Sequence, residues 1–184
     1  MRLFAAVNLP AELRQALHAA AAPLRDAGLP VKWVDADAVH LTLKFLGDVA
    51  ADRLAELSGA LDRACGGMRG FEVAVGGFGA FPSAAHARVI WLGCESAPPL
   101  ELLQHAVERE YAALGFPIEG KPFRPHLTLG RARPRGKAGM RGLDALLEAT
   151  TFEAAWAVGA VDLMESTLTP AGARYAVCHH VALA

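Results

Sequence analysis

The sequence lacks any long apolar run, any closely spaced cysteine pair and any large excess of charge of one sign. No apolar segment approaches the ~20 residues that a membrane-spanning helix needs. The three cysteines, Cys65, Cys94 and Cys178, are odd in number and far apart, which argues against a disulfide framework and favours a reducing compartment. The N-terminal segment has no unbroken apolar stretch of signal-peptide length. We therefore expect a cytoplasmic protein that makes no membrane contact.

The charge is nearly balanced over the whole chain. The 184 residues carry 18 Lys and Arg against 19 Asp and Glu, so the formal net charge is -1. This balance excludes a polycation that coats nucleic acid with its entire surface. Locally, residues 120–143 contain no acidic residue and seven basic ones: Lys121, Arg124, Arg131, Arg133, Arg135, Lys137 and Arg141. Such a segment attracts anions, although alone it is equally typical of a solvated loop.

The length and the apolar pattern predict one domain, residues 1–184, that can bury a core without disulfides. Helical spacing predicts helices over residues 11–27, 52–65, 98–114 and 143–149. Apolar and β-rich runs predict strands over 2–9, 31–34, 40–46, 71–78, 88–93, 126–130, 152–166 and 174–181. The strict strand–helix–strand rhythm of a parallel sheet is absent, so we expect an α+β fold with antiparallel sheets.

The tetrapeptide His-Leu-Thr-Leu occurs twice, at residues 40–43 and 126–129. Each copy lies in a predicted strand, where side chains alternate between the two faces. His and Thr therefore project together, about 6–7 Å apart, while both leucines can enter the core. Two such strands related by an approximate two-fold axis would present two His and two Thr to one cleft. A single copy would more often be an ordinary strand, but its recurrence in so short a chain favours a site.

Two histidines and two threonines in one cleft suit chemistry at phosphorus. In-line displacement needs a base on the attacking side and an acid on the leaving side. Two imidazoles with an ordinary pKa near 6.5 can provide both without a metal. The hydroxyls of Thr42 and Thr128 can donate hydrogen bonds to non-bridging phosphate oxygens. Lys44 follows on the same face of its strand by alternation, so it is a further candidate phosphate ligand.

Other residues that often form sites are interpreted as ordinary structural residues. His179 and His180 are adjacent and would point to opposite faces of a strand, which is weak evidence for a metal. No H-E-x-x-H or C-x-x-C set is present, so we expect no metal site. Four aromatics are more often core residues, although one or two near the cleft could stack the terminal bases of single-stranded RNA: Trp33, Trp91, Trp156 and Phe81.

Five segments together resemble one known family. They are MRLFAAVNLP at the N-terminus, HLTLKFLGDV and FRPHLTLGR around the two motifs, RVIWLG at residues 88–93, and LMESTLTPAGARY at residues 163–175. Their content and order are similar to those of the two-histidine (2H) phosphoesterases, and more narrowly of the RNA 2′,3′-cyclic phosphodiesterases, once named 2′-5′ RNA ligases. The resemblance covers nearly the whole chain. Glu165 departs from it, because relatives often carry a basic or neutral residue there.

The resemblance implies a bilobal α+β fold, in which two pseudo-symmetric lobes with one motif each bring two antiparallel sheets to a central groove, with helices outside. The implied activity opens a 2′,3′-cyclic phosphate at an RNA 3′ end without a metal and leaves a 2′-phosphate. His126 would be the base that activates water, and His40 the acid that protonates the departing 3′ oxygen. Thr42 and Thr128 would hold the phosphate, and Arg131 would contact the substrate. A weak, reversible 2′-5′ RNA ligation is also implied.

Two alternatives stay open from the sequence. The substrate could be a small cyclic-phosphate nucleotide, in which case the basic segment is incidental. The protein could also be a non-catalytic RNA- or nucleotide-binding module, although such a binder would be expected to lose one of the histidines. From the residues alone, the acid and base roles of His40 and His126 are exchangeable. We expect the partner to be RNA with a 2′,3′-cyclic phosphate end, single-stranded or tRNA-like, bound by a monomer without a cofactor.

Overall fold

The strands form one curled antiparallel sheet in this computed structural model, which describes residues 1–133, 140–169 and 172–184. Nine strands are found in these residues: β1 Arg2–Asn8, β2 Val31–Trp33, β3 His40–Asp48, β4 Phe71–Phe81, β5 Val89–Cys94, β6 His126–Ala132, β7 Glu153–Val158, β8 Ala160–Thr169 and β9 Gly172–Ala182. Their order in the sheet is β7-β4-β5-β6-β3-β1-β8-β9, and β2 pairs with β6 beside this path. The two strands that begin with His-Leu-Thr-Leu are therefore the central pair.

Between β3 and β6 the sheet divides into two halves, four strands on the side of β3 and five on the side of β6, where β2 is the fifth. The halves meet at a single register pair, Leu41 with Leu127. By contrast, β1 and β3 pair along their length, from Arg2 with Asp48 to Asn8 with His40. The predicted α+β fold with antiparallel strands is confirmed, and the two expected sheets are joined through this short contact.

Five α-helices are found in the described residues: α1 Ala11–Ala20, α2 Ala22–Asp26, α3 Leu54–Cys65, α4 Pro98–Ala112 and α5 Leu143–Ala149. The buried faces of α3 and α4 share the main core with the four motif leucines, as predicted for those leucines. Burial of each leucine stabilises the fold by about 1.5–3 kcal/mol. The His and Thr side chains, which alternate with the leucines, are directed to the other face of the sheet. None of the helices in the described ranges is both long and apolar enough to cross a membrane.

Two predicted elements are divided in the structure. The helix predicted over residues 11–27 becomes α1 and α2, because Pro23 in the first turn of α2 has no N–H to continue the α1 hydrogen bonds. The strand predicted over residues 152–166 becomes β7 and β8, on either side of Gly159. β7 pairs with β4 and β8 pairs with β1, so this segment crosses from one half of the sheet to the other.

Candidate active site

The two motifs lie side by side and run in opposite directions, because Leu41 pairs with Leu127. In an antiparallel ladder, the neighbouring positions in this register set His40 beside Thr128 and Thr42 beside His126. All four of these side chains are half-buried, whereas the leucines between them are buried. The structure therefore brings together the two histidines and two threonines that the repeat predicted.

The same β-bulge occurs in both motif strands, one residue after the threonine. In β3 the extra residue is Leu43, because the residues before and after it pair with consecutive residues of β1. In β6 the extra residue is Leu129, by the same relation to β5. A bulge of this kind shifts the alternation of side chains by one position. Phe45 and Arg131 consequently return to the face of the histidines, and both are exposed.

The bulge turns Lys44 into the core, so the prediction that it shares a face with His40 is wrong. Its Nζ lies 2.7 Å from Glu108 Oε2 and donates a second hydrogen bond to the backbone oxygen of Pro117 at 2.8 Å. The side chains of Lys44 and Glu108 are only 2% and 5% exposed. Lys44 is thus held in a buried ion pair and is not available to a phosphate in the cleft.

Backbone carbonyls orient both histidine rings in the same way. His40 Nδ1 lies 2.8 Å from the oxygen of Ala38, and His126 Nδ1 lies 2.7 Å from the oxygen of Arg124. Because a carbonyl can only accept, each Nδ1 carries the hydrogen. Each Nε2 is therefore the nitrogen that takes up or releases a proton at the cleft. This arrangement allows either ring to act as acid or base.

Aromatic rings enclose both histidines. The His40 ring contacts Phe4, with centroids 4.7 Å apart, and the edge of Tyr175 at 5.0 Å. The His126 ring contacts Phe81 at 5.1 Å in an edge-on arrangement, and Trp91 at 6.4 Å. From the sequence, Phe81 is interpreted as more often a core residue, with base stacking near the cleft as the alternative, and Phe4 and Tyr175 are not identified. Their role depends on the neighbours of the motif strands in the sheet, which no local pattern shows.

The environment of His40 favours its neutral form. Burial lowers the pKa of the His40 imidazole below 6.5, and the positive charge of Arg131 lowers it further. The hydrogen bond to Ala38 opposes these effects by raising the pKa. A protonated His40 is therefore a stronger acid than an exposed histidine, and it is populated at lower pH.

Trp91 lies flat against its neighbouring strand beside His126. Gly79 is its cross-strand partner, and a Cβ at Gly79 would collide with the indole ring. Phe81 contacts Trp91 on the same side, with centroids 4.9 Å apart. The indole Nε1 is buried without a hydrogen-bond partner in the structure. The glycine therefore permits a flat aromatic surface next to the second motif.

A hydrogen-bonded network lies beside His40 in the first half of the sheet. Asn8, the register partner of His40, donates from Nδ2 to Asp162 Oδ2 at 2.7 Å. The other carboxylate oxygen of Asp162 lies 2.6 Å from His180 Nδ1. Asp162 is only 5% exposed. Sequence reasoning set His180 aside, and the signal it overlooked is the acidic Asp162 between the apolar residues of β8.

The predicted basic segment lies partly within the described residues. Arg135 and Lys137 lie outside the described residues. Arg131 and Arg133 are exposed at the end of β6, and Lys121 and Arg124 are exposed in the loop before it. No group of three or more His, Cys, Asp or Glu side chains with metal-binding geometry occurs in the part of the chain that the structure describes.

Comparison with known proteins gives one consistent family. The family model described as LigT like Phosphoesterase matches the chain twice, over residues 7–91 and 92–175, so each match contains one His-Leu-Thr-Leu motif. The RNA 2′,3′-cyclic phosphodiesterase of Methanothermobacter thermautotrophicus is 34% identical over 176 residues, which is 95% of each chain.

Solved structures share the whole fold. The crystal structure of TT0787 of Thermus thermophilus has a TM-score of 0.82 and 30% identity, and the match covers 100% of this chain and 98% of that one. The crystal structure of Escherichia coli LigT complexed with 3′-AMP has a TM-score of 0.77 and 29% identity, over 99% of this chain and 97% of that one.

Proposed function

Because the chain belongs to the LigT-like phosphoesterase family, we propose that it hydrolyses the 2′,3′-cyclic phosphate at the 3′ end of an RNA and leaves a 2′-phosphate. The observation that carries this proposal is the pair His40 and His126 on adjacent central strands, each with Nδ1 bonded to a backbone carbonyl. The activity named for the Methanothermobacter relative and the 3′-AMP bound by LigT support the same class of substrate.

The reaction is an in-line displacement at phosphorus. Neutral His126 accepts a proton on Nε2 from a water molecule, whose oxygen forms the new bond to phosphorus. The bond from phosphorus to the 3′ oxygen breaks, and protonated His40 donates its Nε2 proton to that oxygen. The phosphate stays on the 2′ oxygen, and the two histidines exchange protonation states, so a proton must return through solvent before the next turnover.

The threonines and Arg131 supply charge stabilisation. Thr42 and Thr128 lie beside the histidines and donate hydrogen bonds to the non-bridging oxygens, whose negative charge grows in the transition state. Arg131 adds a positive charge that attracts the phosphate. The lowered pKa of His40 makes its protonated form a stronger acid toward the 3′ oxygen, and it also reduces the fraction of that form at neutral pH.

The test uses a short RNA that ends in a 2′,3′-cyclic phosphate, incubated in excess EDTA, with separation of 2′- and 3′-phosphate products. We expect conversion to the 2′-phosphate, reduced by about 10²–10⁴-fold in both His40→Ala and His126→Ala. His105→Ala is the matched control, because His105 is exposed on α4, a helix that packs on the opposite face of the sheet from the motif histidines. Near-normal turnover in either motif variant would refute the acid–base assignment.

Two further outcomes would redirect the assignment. Efficient hydrolysis of 2′,3′-cyclic mononucleotides, equal to that of oligonucleotides, would favour a small-nucleotide phosphodiesterase. Tight RNA binding without any conversion would favour a binding module that uses the same cleft.

The same groups can join RNA ends. If the 5′ hydroxyl of a second RNA replaces water, His126 and His40 perform the same proton transfers and a 2′-5′ linkage forms.

One chain holds both histidines, so a monomer is a sufficient catalytic unit, which size-exclusion chromatography of the active fraction tests. The cysteines Cys65, Cys94 and Cys178 are free thiols, which suits a reducing cytoplasm.

A further inference from the structure

We propose that the RNA chain upstream of the cyclic phosphate lies along Lys32, Arg131 and Arg133, which we call the basic edge. The RNA would thus reach the site from the side of His40, and water would reach it from the side of His126. This inference rests on the proposed function and adds the direction in which the substrate lies in the groove.

Strand pairing places the three cations together. Lys32 in β2 is the register partner of Arg131 in β6, so their side chains share one face of the sheet. Arg133 follows two residues later, and its N–H continues the ladder by donating to the backbone oxygen of Pro30 at 2.8 Å. Alternation therefore directs Arg133 to the same face.

The cations of the basic edge are available to a ligand. All three are exposed, and none forms an ion pair with a carboxylate of the described residues. The carboxylates nearest in sequence to Lys32 are Asp35 and Asp37, and Asp37 lies 3.9 Å from Arg14 instead. Three exposed cations on one face of the sheet match the repeated negative charge of a phosphodiester backbone.

The end of the groove opposite the basic edge carries an exposed aromatic side chain, Phe45. Phe45 occupies in β3 the position that Arg131 occupies in β6, since each is the second residue after the bulge. The two strands are antiparallel, so Phe45 and Arg131 extend toward opposite ends. Phe45 is 54% exposed and contacts Phe4, with ring centroids 5.7 Å apart. One end therefore offers three cations on one face of the sheet, and the other offers an exposed aromatic ring beside the loop that carries Lys121 and Arg124.

The chemistry connects this asymmetry to direction. In an in-line displacement, the departing 3′ oxygen lies opposite the attacking water, so the ribose lies on the side of the acid. Arg131 is close enough to His40 for its charge to lower the pKa of that imidazole. An RNA whose ribose is held beside His40 therefore continues over the basic edge.

The experiment compares kcat/KM for two substrates across a salt series. One substrate is 2′,3′-cyclic AMP, which has no upstream phosphate, and the other is a six-nucleotide RNA that ends in a cyclic phosphate. The variant is Lys32→Ala/Arg133→Ala, which leaves Arg131 in place. The matched control is Lys121→Ala/Arg124→Ala, which removes two exposed cations from the loop before β6, on the side of His126.

We expect the Lys32→Ala/Arg133→Ala variant to lose on the order of tenfold in kcat/KM for the six-nucleotide RNA at low salt. The plot of log(kcat/KM) against log salt concentration should also become less steep, by about 1.4 units of slope, because two phosphate contacts are lost. Its unchanged kcat/KM for 2′,3′-cyclic AMP would show that the fold and the chemistry are intact. An equal loss on both substrates, or a loss for RNA only in the Lys121→Ala/Arg124→Ala control, would overturn the inference. If the unmodified protein hydrolyses neither substrate, the proposed function itself fails.

Discussion

The buried ion pair of Lys44 and Glu108 makes Glu108→Gln a strongly destabilising substitution close to the site. The two side chains are 2% and 5% exposed, and the charged atoms are 2.7 Å apart. After Glu108→Gln, the Lys44 ammonium loses its counter-charge and keeps only neutral acceptors, such as the carbonyl of Pro117 at 2.8 Å. A buried cation without a counter-charge is the costly outcome here.

The magnitude follows from two opposing effects. At 2.7 Å the Coulomb attraction is about 6 kcal/mol for an effective dielectric constant of 20. Desolvation of each ion costs several kcal/mol, so the intact pair adds little net stability compared with two apolar side chains. Breaking it from one side removes the attraction and leaves the desolvation cost, which predicts a loss of about 3–5 kcal/mol. At about 2–4 °C per kcal/mol, the Tm should fall by about 6–20 °C.

Urea unfolding of Glu108→Gln, Lys44→Met and the double variant Lys44→Met/Glu108→Leu measures this directly. We expect both single variants to be destabilised and the double variant to recover most of the free energy of unfolding, because no charge is then left buried. The double variant should also keep kcat/KM for the cyclic phosphate within a few-fold. The reasoning is refuted if Glu108→Gln loses less than about 1 kcal/mol, or if a stable double variant loses activity by tenfold or more.

Three smaller predictions concern other groups at the site. Arg131→Gln should raise the pKa of His40 by removing a nearby positive charge, which NMR titration of the imidazole would detect; an unchanged or lower pKa contradicts this. The pKa of His40 is lower in the folded chain than in the unfolded chain, so the unfolded chain takes up a proton at His40 first as the pH falls. This protonation lowers the free energy of unfolding as the pH falls below about 6.5. His40→Gln should remove that part of the pH dependence in urea unfolding. Gly79→Ala should displace the Trp91 indole, with a red-shifted tryptophan emission and a loss of about 1–3 kcal/mol.

The sequence predicted the central part of the site because that part depends only on alternation within a strand. His40 and Thr42 share a face since no irregularity lies between them, and the same holds for the second motif. Lys44 was misplaced because a bulge at Leu43 shifts the alternation, and a bulge is defined by pairing with the neighbouring strand. No residue type in β3 predicts the bulge at Leu43 from the sequence alone.

Non-local pairing also explains what else was missed. The helices predicted over residues 98–114 and 143–149 are found over residues 98–112 and 143–149, because helical periodicity is local. The apolar run over 152–166 looks like one strand, yet its two parts pair with strands from different halves of the sheet. Tyr175 reaches His40 only because β9, β8, β1 and β3 are adjacent in the sheet, which depends on the complete topology.

The backbone acceptors of the two histidines make the site tolerant of change around it. In many enzymes a carboxylate side chain orients the catalytic imidazole, and a single substitution can remove it. Here the acceptors are the main-chain oxygens of Ala38 and Arg124, two residues before each histidine. Every amino acid carries that oxygen, so exchange of either side chain leaves the ring orientation and tautomer in place. Side chains at the rim of the cleft can therefore change without loss of the hydrogen bonds that orient the His40 and His126 rings.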